Sequence, residues 1–515
     1  MTEHSSESWK DTLYFGDNLD ILKKYIPDDF VDLVYIDPPF NSGATYNVLF
    51  KPTAEQASKE TAQIQAFEDT WTWGAEAAAT YRGIIDGSIT KDPIPAEVVT
   101  LTGALFSFLK TSSMMAYLVM MIPRLVELRR VLKPKGTIYV HCDPTASHYL
   151  KLLMDAVFGV RNYLNEVAWC YETGGRSKTS FPRKHDTILR YGRSAQVAFY
   201  YNNVALPRDF STMHETVLTD ENGRLYQRNV KNGKEYRYYV DQGVLPNDWW
   251  ADIQALNPAA KERLGYPTQK PEALLQRIIN ASSNPGDIVL DAFAGCGTTT
   301  AVAQKLGRRW IGIDIAIPAI DVIVKRLESS TTEQGRHLEE GVDFEVIGMP
   351  RDVAGAEALA RQYGDGWQFQ YWAVTRIPGA LGNIKKTGDG GVDGTISFWD
   401  TSKKNNLGKA IISVKSNKVV TPSMVHDLHG AVVANGADFG ILLMLEEPTK
   451  GMRTEALKYE AYRYNGKMDI PMIQLLSAAD LFKKPLPLVL PAENMVIDRK
   501  KGDSVKVVSH EELPL

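Results

Sequence analysis

An acidic residue, two prolines and an aromatic ring follow one another at the end of an apolar segment. Residues 31–36 are apolar and rich in β-branched types, which is typical of a buried strand. The prolines Pro38 and Pro39 restrict their own backbone and that of the preceding residue, so the chain leaves the strand along a stiff, extended path. In this setting Phe40 can stack on a flat ring, while Asp37 and the Pro38 carbonyl accept hydrogens from an amine on it. A simple proline turn is the alternative.

A second stretch, near residue 290, combines a strand, a glycine loop and a helix. Residues 287–291 predict a buried strand, and a loop that contains Gly295 and Gly297 leads into the helix. The next strand ends in Asp314. Glycines let the backbone approach a ligand, and an acid at the next strand end can accept the hydroxyls of a ribose. The loop lacks the lysine of a phosphate-binding loop, so the series predicts a site for an adenosine-bearing cofactor.

A third acid follows a short strand near the N-terminus. Gly16 permits a turn after residues 13–15, and Asp17 or Asn18 can cap the helix that begins there. Asp17 can also hydrogen-bond to a ligand bound beside Asp37, because the strand that carries Asp37 comes next in the chain. Both interpretations remain open at this point.

The elements around these acids alternate between helix and strand. Residues 114–130 predict an amphipathic helix with a basic end, residues 137–142 a strand and residues 147–158 a helix. Such alternation predicts an α/β fold with a parallel sheet. The segment 41–113 is an excursion, and its aromatic cluster at 67–73 is a candidate rim of the site.

Residues 200–260 are polar, aromatic and rich in turns. Two Asn-Gly pairs, at Asn222 and Asn232, predict hairpins. Basic residues interleaved with aromatic ones are typical of nucleic-acid surfaces. A solvated β excursion is the alternative interpretation of the same segment.

Composition favours a globular intracellular protein of several domains. The 515 residues suggest two to four domains, and 44% of them are hydrophobic. The three cysteines show no metal-binding spacing, and a reducing cytoplasm is the expected location. No secretory signal or membrane span is predicted, so we expect no membrane partner. The net charge of −4 leaves room for a local basic surface.

The two chemical stretches together resemble a known family. Phe293-Ala-Gly-Cys-Gly-Thr298 resembles the S-adenosylmethionine loop of amino-group DNA methyltransferases, and Asp37-Pro-Pro-Phe40 resembles their catalytic tetrapeptide. Tyr266-Pro-Thr-Gln-Lys-Pro271 is similar to the helix start that lines their cofactor, and Thr268 is suited to capping the helix that follows. Because the catalytic motif precedes the cofactor loop, the order resembles the β class of that family.

The resemblance implies a Rossmann-like, S-adenosylmethionine-dependent methyltransferase fold with an inserted target-recognition region at about 192–260. It implies methylation of adenine N6, with cytosine N4 as the alternative, on double-stranded DNA, and no metal for methyl transfer. The implied catalytic residues are Asp37, Pro38, Pro39 and Phe40. The implied cofactor-binding residues are Asp17, Thr268, Lys270, Asp291, Phe293, Ala294, Gly295, Gly297, Thr298 and Asp314.

The C-terminal part resembles a second family. A glycine turn presents Asp393, and the next strand carries Lys415, as in Mrr-like restriction endonucleases of the PD-(D/E)xK type. In that family an acid and a (D/E/Q)xK strand hold Mg²⁺. Here Ser413 occupies the second acidic position, and Glu357 is a candidate replacement. The domain is therefore expected either to cleave DNA with Mg²⁺ bound at Asp393 or to serve as a silent DNA-binding or dimerising module.

The expected organisation is a methyltransferase domain at 1–330, a linker at 331–344 and an α/β restriction-endonuclease-like domain at 345–515. The leading functional expectation is a site-specific DNA amino-methyltransferase. A fused restriction–modification enzyme and a DNA-binding regulator with a silent methyltransferase fold are the alternatives. A second copy of the chain and a cognate restriction subunit are the candidate protein partners.

Overall fold

A computed structural model describes most of the chain. The described residues are 9–39, 45–50, 62–68, 71–172, 178–207, 217–257, 259–264, 266, 268–332, 334–362, 366–382, 391–403, 407–491, 493–496 and 506–509, with the backbone alone at 45–50, 62–68, 362, 493–496 and 506–509. Phe40 lies outside these ranges. Within them, no helix has the length and apolar character needed to cross a bilayer.

A large mixed sheet forms the centre of the first part of the chain. Nine strands follow the order β11-β6-β7-β5-β2-β12-β13-β1-β14. The strands up to residue 347 are β1 (Asp11–Phe15), β2 (Val31–Ile36), β3 (Thr45–Phe50), β4 (Ala62–Glu68), β5 (Leu132–Cys142), β6 (Tyr163–Cys170), β7 (His185–Gly192), β8 (Leu218–Thr219), β9 (Leu225–Lys231), β10 (Lys234–Tyr239), β11 (Trp249–Trp250), β12 (Ile288–Asp291), β13 (Arg309–Asp314) and β14 (Phe344–Ile347).

Helices cover both faces of this sheet, which explains why β2 is apolar throughout rather than alternating. Leu33 and Tyr35 pack in one core with α6, α7 and α8, whereas Val34 and Ile36 pack in another with α1, α4 and α5. The helices are α1 (Asn18–Tyr25), α2 (Ala75–Ile85), α3 (Ala96–Leu109), α4 (Ser113–Val131), α5 (Ser147–Phe158), α6 (Glu272–Ser282), α7 (Thr298–Lys305) and α8 (Ile317–Glu328). The predicted helices at 114–130 and 147–158 are confirmed.

Four neighbouring strands of the sheet are parallel and end at the same edge. Strand β12 pairs in parallel with β2 and with β13, and β13 pairs in parallel with β1. Their order, β2-β12-β13-β1, places Asp37, Asp291, Asp314 and Asp17 in turn along that edge. Ligands of open α/β sheets bind at the carboxyl ends of the strands, so this edge is the expected location of a site.

A separate small sheet lies within the predicted target-recognition region. Strands β8, β9 and β10 form it, and β9 and β10 make a hairpin. The hairpin turns at Asn232 and Gly233, whose φ angles are 54° and 76°. Both φ angles are positive, as a tight hairpin turn requires. The hairpins predicted at the two Asn-Gly pairs are confirmed.

The C-terminal part folds around its own sheet, in the order β21-β18-β17-β16-β22-β23 with β15 beside β16. Strands β16 and β17 are antiparallel, whereas β17, β18 and β21 are parallel. The elements are β15 (Ala380–Gly382), β16 (Gly394–Trp399), β17 (Leu407–Lys415), β18 (Phe439–Met444), β19 (Tyr462–Tyr464), β20 (Met468–Ile470), β21 (Ile473–Ser477), β22 (Glu493–Val496), β23 (Lys506–Ser509), α9 (Val353–Gln362), α10 (Trp367–Thr375), α11 (Ser423–Ala434) and α12 (Lys450–Ala456).

The first sheet extends beyond the domain boundary predicted at residue 330. Strand β14 pairs in parallel with β1, from Asp11 opposite Phe344 to Tyr14 opposite Ile347. These backbone hydrogen bonds make β14 an edge strand of the first sheet, although the prediction assigned residue 345 to the second domain. We propose a boundary after Ile347.

Candidate active site

A cavity of about 660 Å³ opens at the sheet edge where the four acids lie. This volume is within the usual range for cofactor sites. Gly297 does not line it. Of the residues predicted to catalyse or to bind the cofactor, those that line the cavity are Asp17, Asp37, Pro38, Pro39, Thr268, Lys270, Asp291, Phe293, Ala294, Gly295, Thr298 and Asp314.

Asp37 is held by a cation from a distant part of the chain. Its Oδ2 atom accepts a hydrogen bond from Lys270 Nζ at 2.5 Å, and both side chains are largely buried. Its Oδ1 atom is buried and has no hydrogen-bond partner among the residues that the structure describes. A buried carboxylate oxygen without a partner is costly, and such atoms mark functional sites. Asp37 lines the cavity and keeps one carboxylate oxygen without a partner among the described residues, so it is the candidate acceptor for a ligand there.

Asp291 and Asp314 hold the glycine loop in place through hydrogen bonds. Asp291 accepts from the Thr299 hydroxyl at 2.5 Å and from the Phe293 N–H at 3.0 Å. Asp314 accepts from the N–H groups of Gly295 and Ala316, both at 2.8 Å.

Both of these acids are harder to ionise than usual. Burial raises the pKa of Asp291 to about 7 and the pKa of Asp314 to about 6, although hydrogen bonds from their neighbours oppose the shift. A cation bound nearby would stabilise the ionised form of either acid.

Asp17 is confirmed as a helix cap, and its hydrogen bond to a ligand stays a prediction. Its carboxylate caps α1 by accepting from the Leu19 N–H at 2.8 Å, and it lines the cavity. Arg124 donates to Asp17 Oδ2 at 2.6 Å and to Asn18 Oδ1 at 2.5 Å. Asn18 in turn donates to the Ala292 carbonyl at 2.7 Å. Arg124 thereby ties α4 to the ends of β1 and β12.

Gly297 shapes the loop instead of lining the cavity. It adopts a left-handed φ of 70°, and a Cβ atom there would lie 2.7 Å from Ile323 Cγ1. Its missing side chain serves the turn into α7 and the packing against α8, and its contact with the cofactor stays a prediction. Gly295 also has a positive φ, of 53°, but it faces the cavity.

The predicted helix cap at Thr268 is wrong. Helix α6 begins at Glu272, its N-cap position is Pro271, and no side chain caps it. Thr268 instead adopts a left-handed φ of 59° three residues earlier and lines the cavity. The positive φ turns the chain so that Lys270 can reach Asp37 across the sheet edge.

Two groups of cavity residues lie in segments that the sequence pointed to. Trp71 and Thr72 belong to the cluster at 67–73 that was predicted as a candidate rim, and Tyr266 to the motif expected to line the cofactor. Other lining residues were not predicted, because they sit on a helix or strand whose cavity-facing side is not visible in sequence. They include Tyr35, Met120 and Arg124.

A buried hydrogen-bonded chain supports the wall behind Asp37. The Tyr35 hydroxyl lies 3.0 Å from His141 Nδ1, and His141 Nε2 lies 3.1 Å from Asp186 Oδ2. Tyr171 donates to the other Asp186 oxygen at 3.0 Å. The hydrogen bond and charge of His141 oppose the effect of burial on Asp186, and the pKa of Asp186 lies below its usual value.

The cavity lining fits the predicted cofactor. Five acidic residues line it against the cations Arg124 and Lys270, so acidic groups outnumber basic ones in the wall: Asp17, Asp37, Glu76, Asp291 and Asp314. S-adenosylmethionine carries a sulfonium and an ammonium group, which an acidic wall attracts. Phe293 and the largely buried Tyr266 line the cavity and can supply apolar ring surface for an adenine, and Gly295 permits close approach of the backbone.

The predicted nuclease residues lie partly together. Asp393 Oδ2 accepts from the Val414 N–H at 2.6 Å and lies 3.4 Å from Ser413 Oγ, so it abuts the strand that ends in Lys415. Glu357 pairs with Arg361 one helical turn later, at 3.0 Å. In the part of the chain that the structure describes, no three His, Cys, Asp or Glu side chains converge on a metal site. The structure therefore does not join Glu357 and Asp393 in such a site.

Family comparisons agree with both resemblances. Residues 31–325, more than half of the chain, match the model of a DNA methylase family, and residues 374–483 match that of a restriction endonuclease family of the Mrr type. Two solved structures are similar over most of their own length: the cytosine-N4-specific PvuII DNA methyltransferase (15% identity, 63% of this chain and 89% of that one, TM-score 0.37) and the M1.HpyAVI–SAM complex (15%, 61% and 98%, TM-score 0.32).

Curated relatives are more similar in sequence. The DNA adenine methyltransferase YhdJ of Escherichia coli K12 is 30% identical over 318 residues, which cover 62% of this chain and 82% of that protein. The type II methyltransferase M.HpaI of Haemophilus parainfluenzae is 34% identical over 206 residues, 40% of this chain and 57% of that protein. With the acids of the catalytic and cofactor motifs lining one cavity, these matches lead to one conclusion: the chain belongs to the DNA methylase family and carries a restriction-endonuclease domain of the Mrr type.

Proposed function

We propose that the chain is a site-specific DNA methyltransferase that methylates the N6 amine of an adenine flipped out of double-stranded DNA, with S-adenosylmethionine as donor. One observation carries the proposal. Asp37 lines the cavity together with Asp291 and Asp314, and its buried Oδ1 atom has no hydrogen-bond partner among the described residues. An amine acceptor and the acids expected to hold the cofactor thus share one cavity.

An exocyclic amine on a conjugated ring is a poor nucleophile, because its lone pair is delocalised into the ring. Asp37 Oδ1 and the Pro38 carbonyl would accept the two amine hydrogens and draw the nitrogen towards tetrahedral geometry. Lys270 keeps the other Asp37 oxygen occupied, so the carboxylate has a single orientation. Bound S-adenosylmethionine supplies an electrophilic methyl group. Much of the rate should come from positioning, and Phe40 is expected to stack on the base.

Adenine is the preferred target for two reasons. The tetrapeptide begins with Asp37, whereas a serine at that position would favour cytosine N4. The relative YhdJ is named a DNA adenine methyltransferase. Cytosine N4 is the alternative product.

Methyl transfer from tritiated S-adenosylmethionine to unmodified DNA, followed by nucleoside analysis, tests the proposal. Label in N6-methyladenine supports it, and label in N4-methylcytosine would replace adenine as the target. An Asp37→Ala variant should lose transfer and keep cofactor binding. The control is Asp20→Asn, which changes an exposed acid on α1. Absence of transfer by the wild-type protein would refute the proposal and favour a DNA-binding regulator.

The β8–β10 sheet supports a role for residues 192–260 in target recognition. Tyr236 and Tyr238 are more than one-third exposed, and Arg224 lies over the ring of Tyr239 at 4.0 Å. A two-stranded ribbon fits the major groove, where bases are distinguished. Substitutions on the β9–β10 hairpin should therefore change DNA affinity or sequence preference more than cofactor affinity. A cytoplasmic location, a homodimer and a cognate restriction subunit also belong to this proposal, and sedimentation analysis tests the second.

DNA cleavage by the C-terminal domain is a second candidate function. The match of residues 374–483 to restriction endonucleases and the contact of Asp393 with the Lys415 strand favour it. Ser413 offers Mg²⁺ a neutral oxygen in place of a carboxylate, which argues for weak metal binding. A nicking assay with Mg²⁺ that compares the wild type with Lys415→Ala tests this activity. Equal nicking by both would exclude this site as its source.

A further inference from the structure

The wall of the cavity beyond Asp314 is a short loop that leads into α8. Ile315 and Ala316 line the cavity, and the Ala316 N–H donates to Asp314 Oδ1 at 2.8 Å. Ala316 occupies the N-cap position of α8, and no side chain of its own helix start caps the helix. The first N–H groups of a helix lack partners within the helix, so this wall needs a hydrogen-bond acceptor from elsewhere.

That acceptor comes from the second part of the chain. Gln368 Oε1 accepts from the Ile317 N–H at 3.2 Å, and Gln368 Nε2 donates to the Ile315 carbonyl at 3.1 Å. One carboxamide thereby holds both backbone groups that flank Ala316. Gln368 lies in the first turn of α10, which packs against β15 and β17 of the second sheet. The cavity-lining loop at 315–317 is thus hydrogen-bonded to the C-terminal domain.

Packing around this contact is continuous. Helices α8 and α10 are in contact, and one buried cluster includes Ile317 and Ile320 of α8 with Trp367 and Phe369 of α10. These side chains are at most 8% exposed. Close-packed interiors transmit displacements because they have little free volume. A movement of α10 would therefore displace the 315–317 loop.

We propose that Gln368 is a positioning residue for the cofactor site, and that cofactor binding and docking of the C-terminal domain are thereby linked. The inference rests on the proposed function, since it takes S-adenosylmethionine as the ligand of the cavity. Linkage is reciprocal: if the docked domain improves cofactor affinity, the bound cofactor strengthens docking by the same factor. The endonuclease-type domain would then sense whether the methyltransferase is loaded.

Calorimetric titration of S-adenosylmethionine into the full-length protein tests this inference. Gln368→Leu removes both hydrogen bonds and should weaken cofactor affinity about fivefold, the order expected for a lost helix cap. Gln368→Glu keeps the acceptor for Ile317 but cannot donate to Ile315, so its loss should be smaller. The matched control is Gln370→Leu, two residues along the same helix, which should bind the cofactor as the wild type does.

Hydrogen exchange gives a readout independent of affinity. The Ile317 amide should exchange faster in Gln368→Leu, and added cofactor should slow exchange in α10 of the wild type but not of this variant. The melting temperature of each variant identifies any general loss of folding. Wild-type affinity and wild-type exchange in a folded Gln368→Leu protein would overturn the inference and leave the proposed function intact. A wild-type protein that binds no S-adenosylmethionine would instead refute the proposed function.

Discussion

Removal of the Lys270 charge tests whether this residue positions the Asp37 carboxylate or binds the cofactor. The family resemblance implied a cofactor-binding role for Lys270, whereas its ammonium contacts Asp37 at 2.5 Å. Lys270→Met would keep the length of the side chain and leave the Asp37 carboxylate without its counter-charge. The Lys270 and Asp37 side chains are only 9% and 16% exposed, so solvent would compensate poorly.

The size of the effect follows from this burial. Breaking a buried ion pair by removing one partner costs about 3–5 kcal/mol. If this penalty appears in the transition state, kcat should fall roughly 10²- to 10⁴-fold.

Steady-state methyl transfer and calorimetric cofactor binding together separate the two roles. We expect a loss in kcat with cofactor affinity nearly unchanged, because removing a cation does not weaken binding of a cationic ligand. Lys305→Met is the matched control: it breaks the exposed pair with Glu272, which lies next to the same site, and should change the rate less than about fivefold. A cofactor affinity that falls as far as kcat/KM, with kcat intact, would refute the reasoning about Asp37.

Three further predictions concern charge, buried pairs and backbone. Cofactor affinity should fall as the pH drops below 7, because the pKa of Asp291 is raised to about 7 and the pKa of Asp314 to about 6. Each carboxylate loses its attraction for a cationic cofactor once it is protonated. Calorimetric titration between pH 8 and 5.5 checks this, and an affinity that does not change with pH would contradict it. Arg130→Met removes the arginine that pairs with the fully buried Glu127 at 2.6 Å, so it should lower the free energy of unfolding by about 3–5 kcal/mol in urea titrations. A change below about 1 kcal/mol would contradict a stabilising role of this ion pair. Gly297→Ala introduces strain at a positive φ and a clash, so it should lower the melting temperature and cofactor affinity together, and an unchanged variant would show that the loop adapts freely.

The parts of the site that follow from local sequence were predictable. Asp37, Asp291 and Asp314 each lie at the end of an apolar strand. The apolar run before Asp291 predicted the strand, and the glycines after it predicted the loop that leads into the helix. The parallel arrangement then required the acids to meet at one edge, as they do. Both predictions rest on short-range patterns that burial on two faces enforces.

The contacts that were not predicted join residues distant in sequence. Lys270 and Asp37 are 233 positions apart, and Arg124 reaches Asp17 across 107. No local pattern encodes such contacts. Thr268 was assigned as a helix cap because its residue type suits one, but a positive φ serves the path of the chain to Lys270 instead. Strand β14 escaped prediction because four residues at a sheet edge give little periodicity.

The strand order β2-β12-β13-β1 divides the site between two segments of the chain, because the strands of the later segment pair between those of the earlier one. A break at the Asn232-Gly233 turn would leave β1 and β2, with Asp17 and Asp37, in one fragment. The other fragment would hold β12 and β13, which fit between them. Neither fragment alone has a complete cavity, so methylation would report on their reassembly. The fold therefore suits a split methyltransferase, in which methylated DNA records the association of the two fragments.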